Sequence, residues 1–195
     1  MEFAFRPLEG RFVRLEAFAP ELKAEIRSAI DCDPDSWAIM PINPMGAGFE
    51  EFWSTRCGAR RDQPMAYAIR LVANGRVVGI SNYDMTMANE GGVEIGGTFL
   101  HPDVRKSYVN PEAKLLMLDH AFSSGAVRVQ FSVDSRNKRS QAAVAKLGAV
   151  REGVLRRNRM TWTGYIRDTV VFSILDHEWP AVRDRLQRRL AMVDR

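Results

Sequence analysis

Apolar and polar residues alternate through Gly10-Arg11-Phe12-Val13-Arg14-Leu15-Glu16, which predicts a first strand. From Pro20 to Ile30 the spacing turns helical, with Leu22, Ile26 and Ile30 on one side. Asp31 to Phe49 is rich in Pro, Gly, Asp and Asn and reads as loop or short helical turns. Phe49-Glu50-Glu51-Phe52-Trp53 opens a second helix running to about Arg61. Two strands follow, Met65 to Val72 and Arg76 to Tyr83. They are joined at Ala73-Asn74-Gly75, where Asn-Gly is a strong hairpin signal. Val93 to Leu100 is a further strand, and Gly96-Gly97 within it predicts a bulge or a close backbone approach. Asn110-Pro111-Glu112 reads as a helix start with Asn110 as N-cap, and Leu115, Leu118 and Phe122 form that helix's buried face. Val127 to Val133 alternates as a strand. Ser140 to Leu147 is helical, with Gly148 as its stop. Gly153 to Thr161 and Ile166 to Leu175 flank the turn Trp162-Thr163-Gly164-Tyr165, and a last helix spans about Glu178 to Met192.

A hairpin joins the early strands and helices separate the later ones, so the pattern is a mixed α/β sheet with helices on its faces. The helix between strands 93–100 and 127–133 is a crossover, which makes those two strands parallel. A length of 195 residues, with no repeat and no long linker, predicts one domain over 1–195. With 46% apolar and 27% charged residues, the chain is not expected to be disordered. No apolar run approaches a membrane span, and the start lacks a basic segment followed by an apolar one. Only Cys32 and Cys57 occur, without a CxxC pair, so neither a disulfide framework nor a metal site is expected. A reduced cytoplasmic protein fits this composition, with no membrane partner.

Charge changes the picture modestly. Residues 1–100 hold 10 basic and 14 acidic side chains, and residues 101–195 hold 18 and 10. The basic second half suggests an anionic partner. A nucleic acid is disfavoured, because no recognised binding motif accompanies the charge; a phosphate-bearing cofactor accounts for it equally well. The segment Glu94 to Lys114 is the most informative. A strand there gives way to a loop and a helix N-terminus, where free N–H groups, Arg105 and Lys106 could receive a pyrophosphate. The same residues also suit an ordinary capped helix. By alternation Glu94, Gly96 and Thr98 share one face of their strand, and Val93, Ile95 and Phe99 the other. A partly buried Glu94 in a cleft would have a raised pKa and act as a base; paired with an arginine, it would be structural. Trp37 and Met40 either wall a substrate pocket or join the core, and His101 and His120 read as structural.

Several blocks, in order and spacing, resemble the GCN5-related N-acetyltransferase superfamily. They are Val93-Glu94-Ile95-Gly96, Leu100-His101-Pro102, Val109-Asn110-Pro111-Glu112-Ala113-Lys114, Asp134-Ser135-Arg136-Asn137-Lys138-Arg139-Ser140, Lys146-Leu147-Gly148 and Arg167-Asp168-Thr169-Val170. The nearest look is to the branch of ribosomal-protein N-terminal acetyltransferases, and it spans nearly the whole chain. The resemblance implies a largely antiparallel twisted sheet of about six to seven strands, with helices on both faces and a central parallel pair that splays. It also implies acetyl-CoA as cofactor, without a metal. The pantetheine would bond to backbone at Phe99 and Leu100, and the pyrophosphate to amides of Arg105, Lys106, Ser107, Tyr108, Val109 and Asn110. One departure is that this loop contains no glycine, so a Ser107 hydroxyl is expected to donate instead.

The resemblance further places Asn137 and Ser140 at the thiol end, with Ser140 assisting the leaving thiolate; both also fit a plain helix cap and first-turn serine. The implied reaction is direct transfer of acetyl to a primary amine, of a protein N-terminus or a small molecule, with Glu94 as base and no covalent enzyme intermediate. A non-catalytic acyl-CoA sensor is the alternative. An RNA binder ranks below both, and edge strands in the last hairpin leave room for a homodimer.

Overall fold

The computed structural model describes residues 3–4, 6–57 and 65–193. Eight strands form one sheet: β1 (Leu8–Glu9), β2 (Val13–Ala17), β3 (Met65–Leu71), β4 (Val77–Asp84), β5 (Gly92–Leu100), β6 (Arg128–Asp134), β7 (Val150–Met160) and β8 (Ile166–Leu175). Their order is β1-β2-β3-β4-β5-β6-β8-β7. Every neighbouring pair is antiparallel except β5 and β6. The helices are α1 (Lys23–Ile30), α2 (Pro34–Ala38), α3 (Phe49–Ser54), α4 (Val109–Ser123), α5 (Lys138–Leu147) and α6 (Trp179–Ala191). The α3 helix is shorter than its sequence pattern suggested, and residues 58–61 of the expected span lie outside the described residues. No helix among the described residues is long and apolar enough to cross a membrane.

Two cores sandwich the sheet. Val93, Ile95, Val129, Phe131, Phe172 and Ile174 pack with Met117, Leu118, Leu147 and Leu186 from α4, α5 and α6. Ile26, Ile30, Trp37, Phe49 and Phe52 from α1, α2 and α3 pack on Ala68, Ile80 and Phe99. The expected bulge is present in β5. Ile80 faces Phe99 and Asn82 faces Gly96, so β5 carries one extra residue. Gly97 sits there at φ +56, and a Cβ on it would lie 2.0 Å from Asn82 Oδ1. The bulge corrects the simple alternation: Val93 and Ile95 face the first core, but Phe99 faces the second and stacks on Trp37 at 4.7 Å. A further bulge, at Val78 in β4, has no signal in the sequence pattern.

Ahead of that bulge β5 leaves its parallel partner. Pairing runs through Gly92–Arg128, Val93–Val129 and Glu94–Gln130 and then stops, which is the splay the resemblance implied. Helix α4 starts at Val109 with Tyr108 as N-cap, so Asn110 is not the cap; Pro111 still sits in the first turn. Glu112, an acid in that first turn, reaches the β1–β2 turn. Its carboxylate accepts the backbone N–H groups of Arg11 (2.9 Å), Phe12 (2.7 Å) and Val13 (2.6 Å). The Phe12 ring lies against Tyr108 at 4.5 Å. Asn137 caps α5 by accepting the Ser140 N–H at 3.0 Å, and Gly148 ends that helix at φ +108. The last hairpin is kinked, because the three residues between Leu155 and Arg159 oppose one, Asp168, between Thr169 and Arg167. Arg157 there has φ +47 and donates its N–H to Asp168 at 2.7 Å.

Candidate active site

Two shoulders flank the opening between β5 and β6. The β5 shoulder is the loop into α4. Arg105 is already engaged: Nε donates to the Leu100 carbonyl (3.0 Å), Nη2 to Asp33 and Ser36, and its guanidinium lies over the Phe99 ring. One of the two lone pairs of the Leu100 carbonyl is thus taken by Arg105. Ser107 donates its hydroxyl to the Val104 carbonyl (2.6 Å) and accepts the Val109 N–H (3.2 Å). The expectation of Ser107 as a phosphate donor is thus corrected, because its proton closes the turn. The missing glycine is answered by Lys106, which adopts φ +63. A left-handed side-chain-bearing residue costs about 1–2 kcal/mol, yet the loop keeps a turn that glycine would ordinarily supply. Helix α4 has no side chain at its N-cap to accept first-turn N–H groups. Beside this loop a cavity of about 290 Å³ is lined by Lys106, Ser107, Tyr108, Pro111, Arg189 and Leu190.

The other shoulder is the start of α5. The Asn137 side-chain oxygen is committed to capping, whereas the half-buried Ser140 hydroxyl bonds to no described residue. Arg139 donates to Ser36 Oγ at 3.2 Å. Ser36 on α2 therefore touches Arg105 from one shoulder and Arg139 from the other.

At the vertex, Glu94 and Gln130 form the last parallel pair. The Glu94 carboxylate accepts Ser132 Oγ–H (2.8 Å) and Gln130 Nε2–H (3.1 Å). Among the described residues no cation lies within 4.0 Å of it, so the arginine-paired reading does not hold. Further along the same face, Arg167 and Thr169 of β8 are 4% and 1% exposed. Arg167 Nε and Thr169 Oγ1 have no hydrogen-bond partner. The turn of the last hairpin meets α2 and the residues that follow it. Trp162 Nε1 donates to the Trp37 carbonyl (2.8 Å) and Trp162 N to the Met40 carbonyl (3.3 Å). Trp37 itself is 1% exposed and its Nε1–H bonds to Ile30, so its side chain belongs to the core; Met40 is half-buried.

Behind the bulge lies Lys114 of α4. Its Nζ donates to Ser81 Oγ (2.9 Å) and Thr98 Oγ1 (2.6 Å), and burial pushes its pKa down to about 7. Burial likewise lowers the pKa of His120, and burial is the main cause raising that of the Cys32 thiol, so neither offers an activated group. His101 accepts the Asp103 N–H, as a structural residue does. No cluster of His, Cys, Asp and Glu among the described residues could hold a metal.

The sequence pattern singled out Glu94, Ser140 and the α4 loop as candidates, and the structure sets Gln130, Ser132, Arg167 and Thr169 on the Glu94 face and ties Trp162 to α2, residues for which no role was expected. The polar positions of 127–133 carried a signal for Gln130 and Ser132, spaced two apart on one face. Nothing in the sequence separated Arg167 from a solvated strand arginine.

The sequence matches the family model of the acetyltransferase (GNAT) domain over residues 13–150. Comparison with curated proteins gives no match. Among solved structures, the chain is similar to a candidate acetyltransferase from T. thermophilus. The two share 38% identity at a TM-score of 0.83, over 96% of this chain and 99% of that one. It is similar to a GCN5-related N-acetyltransferase from Brucella melitensis at 26% identity and TM-score 0.85, over 96% and 86%. Mycobacterium smegmatis RimJ, in complex with CoA-disulfide, shares the fold at 23% identity and TM-score 0.74, over 94% and 93%. The splayed parallel pair, the matched domain and these relatives agree: the chain belongs to the GNAT acetyltransferases, a family whose fold implies acetyl-CoA-dependent acetyl transfer.

Proposed function

We propose that the protein acetylates the primary amine of a small molecule, with acetyl-CoA and the amine bound together. The Trp162 bridge ties the turn of the last hairpin to α2, whose Trp37 packs on Phe99 of β5, a closed arrangement that favours a small acceptor over an extended peptide. The cofactor site fits in three respects. The opening between β5 and β6 leaves strand backbone unpaired, the Lys106 turn keeps the loop geometry, and the α4 start offers N–H groups and a positive dipole end. Lys106 and Arg189 line one cavity there and would face the cofactor's phosphates. That preserved turn also removes the main motive for a non-catalytic sensor.

Bound acetyl-CoA supplies an acetyl group activated as a thioester. Glu94 accepts the proton that the amine sheds on forming its new C–N bond, directly or through one water. Gln130 and Ser132 hold the carboxylate by neutral donors, which orient it without neutralising it. Ser140 offers its hydroxyl to the sulfur as the C–S bond breaks. Holding both reactants at one vertex supplies a large part of the rate. In the basic second half, Arg128 pairs with Glu152, Arg136 with Asp134 and Arg183 with Asp119, a dispersal that speaks against a nucleic-acid face.

The test is calorimetric titration with acetyl-CoA, followed by an acceptor screen of small amines and N-terminal peptides. Micromolar binding, weakened in Lys106→Ala, with turnover of small amines is expected. Folded protein that binds no acetyl-CoA overturns the reading, and preference for peptides overturns the choice of acceptor.

A further inference from the structure

Arg167 presents a problem of charge. The residue is 4% exposed and its Nε is buried without a partner, and the guanidinium makes no ion pair or hydrogen bond among the described residues. Leaving a buried charge uncompensated is among the costliest arrangements in a folded chain. The nearby carboxylates do not settle it. Asp134 is held by Arg136 in a two-pronged contact (3.0 and 2.7 Å) and by the Arg136 N–H (2.8 Å). Glu94 attracts Arg167 at a distance, without an ion pair within 4.0 Å. Arg159, opposite Arg167 on β7, and Arg136 add charge of the same sign.

The register puts this group in the acceptor site. Val170, Phe172 and Ile174 of β8 face the apolar core, so Arg167 and Thr169 face the other way. That is the face of Ser132 and Gln130, which pair with Val171 and Ser173 and bond to Glu94. The unpartnered Thr169 hydroxyl lies on this face two residues from Arg167. One face therefore offers an acceptor-only carboxylate at the vertex. Beyond it lie the Arg167 guanidinium, with no ion pair to that carboxylate within 4.0 Å, and the buried, unpartnered Thr169 hydroxyl, both suited to an anion.

We propose that Arg167 and Thr169 form an anion subsite for the acceptor, so that the amine acetylated here carries a carboxylate, as a free α-amino acid does. The inference rests on the transferase reading above. Glu94 receives the amine end and Arg167 the carboxylate end, so the pair orients the acceptor with its nitrogen towards the thioester. The match is one of charge pattern: minus and plus on the protein against plus and minus on a zwitterion.

The experiment compares glycine, L-alanine, L-serine, L-methionine and L-phenylalanine with their amides and methyl esters, and with peptides that begin with the same residues. Wild-type protein is expected to favour the free acids by roughly tenfold or more in kcat/KM, because amides leave the guanidinium unmatched. Arg167→Gln is expected to raise KM for the acids by about 10–100-fold and erase the preference, and Arg167→Lys to restore part of it, with acetyl-CoA affinity unchanged in both. Thr169→Val gives a smaller rise in the same KM. Should Arg167→Gln fail to fold, the wild-type comparison of acid with amide and the Thr169→Val variant still decide. Equal use of acids and amides overturns the subsite and leaves the transferase standing, as does a preference that survives in folded Arg167→Gln. Acetylation of peptides with an acidic residue, but of no free amino acid, also overturns it. A protein that binds no acetyl-CoA, or turns over no amine, overturns both readings.

Discussion

Under α4, α5 and α6 the sheet presents Val93, Ile95, Val129, Phe131, Phe172 and Ile174, all buried and all apolar. On the opposite face the intervening positions of the same three strands are Glu94, Gln130, Ser132, Thr169, Val171 and Ser173, all polar but Val171. Both sets follow the two-residue period of a strand; they differ in what covers them. The first face is covered by helices that directly follow the strands they pack on. On the second side α2 packs on Phe99 and meets a hairpin turn more than 120 residues further along through Trp162 and Trp37. Over β5, β6 and β8, therefore, one side of the sheet is apolar packing and the other carries the proposed chemistry, and substitutions on the two sides should fail in different ways.

Glu94→Gln makes the sharpest cut. It keeps the side chain's shape and removes the proposed base, so kcat should fall about 10²–10⁴-fold. The melting temperature and acetyl-CoA affinity should hardly move, and a large loss of stability would break the separation of the faces. Lys114 is the polar exception on the apolar side. Between about 7 and its ordinary 10.5, the unfolded chain holds a proton that the folded one releases, so stability should rise with pH across that window. Lys114→Met should abolish the rise and stabilise the protein below pH 7, since Ser81 and Thr98 still bond each other at 2.8 Å. Denaturant melts at pH 6.5, 8 and 9.5 would read this directly. Trp162→Ala cuts the tie to α2 and should raise KM for small acceptors about tenfold while leaving cofactor binding alone. An unchanged KM would mean that the tie plays no part in acceptor binding. The smallest effect belongs to Lys106→Gly, where relief of the left-handed residue gains at most about 1 kcal/mol in thermal melts. Acetyl-CoA binding should weaken only by the loss of one charge, and the loss should shrink as salt rises.

The contrast also decides what the sequence could reveal. The β3–β4 hairpin, the crossover helix and the Gly148 stop rest on neighbours in the chain, and all three are present as expected. The bulge at Gly97 was legible because only glycine tolerates φ +56 against Asn82. Its consequence was not: one inserted residue sends Phe99 to the face opposite Val93 and Ile95, and simple alternation cannot count it. Arg167 and Trp162 were opaque for another reason. Each owes its setting to residues far off in sequence, Trp162 to α2 and Arg167 to the strands beside β8. Ser107 misled, since a hydroxyl suited to a phosphate is equally suited to the carbonyl three residues back.

The Glu112 carboxylate, clasping three N–H groups some hundred residues upstream, has a consequence in time. The first turn of the sheet cannot be locked until more than half the chain has been made, and closing so long a loop is a slow, late event. On a ribosome the opening hairpin waits for α4, while β3 and β4 can pair at once through their short turn. Glu112→Ala should therefore hasten unfolding far more than it slows refolding, leaving its mark on one arm of a chevron plot.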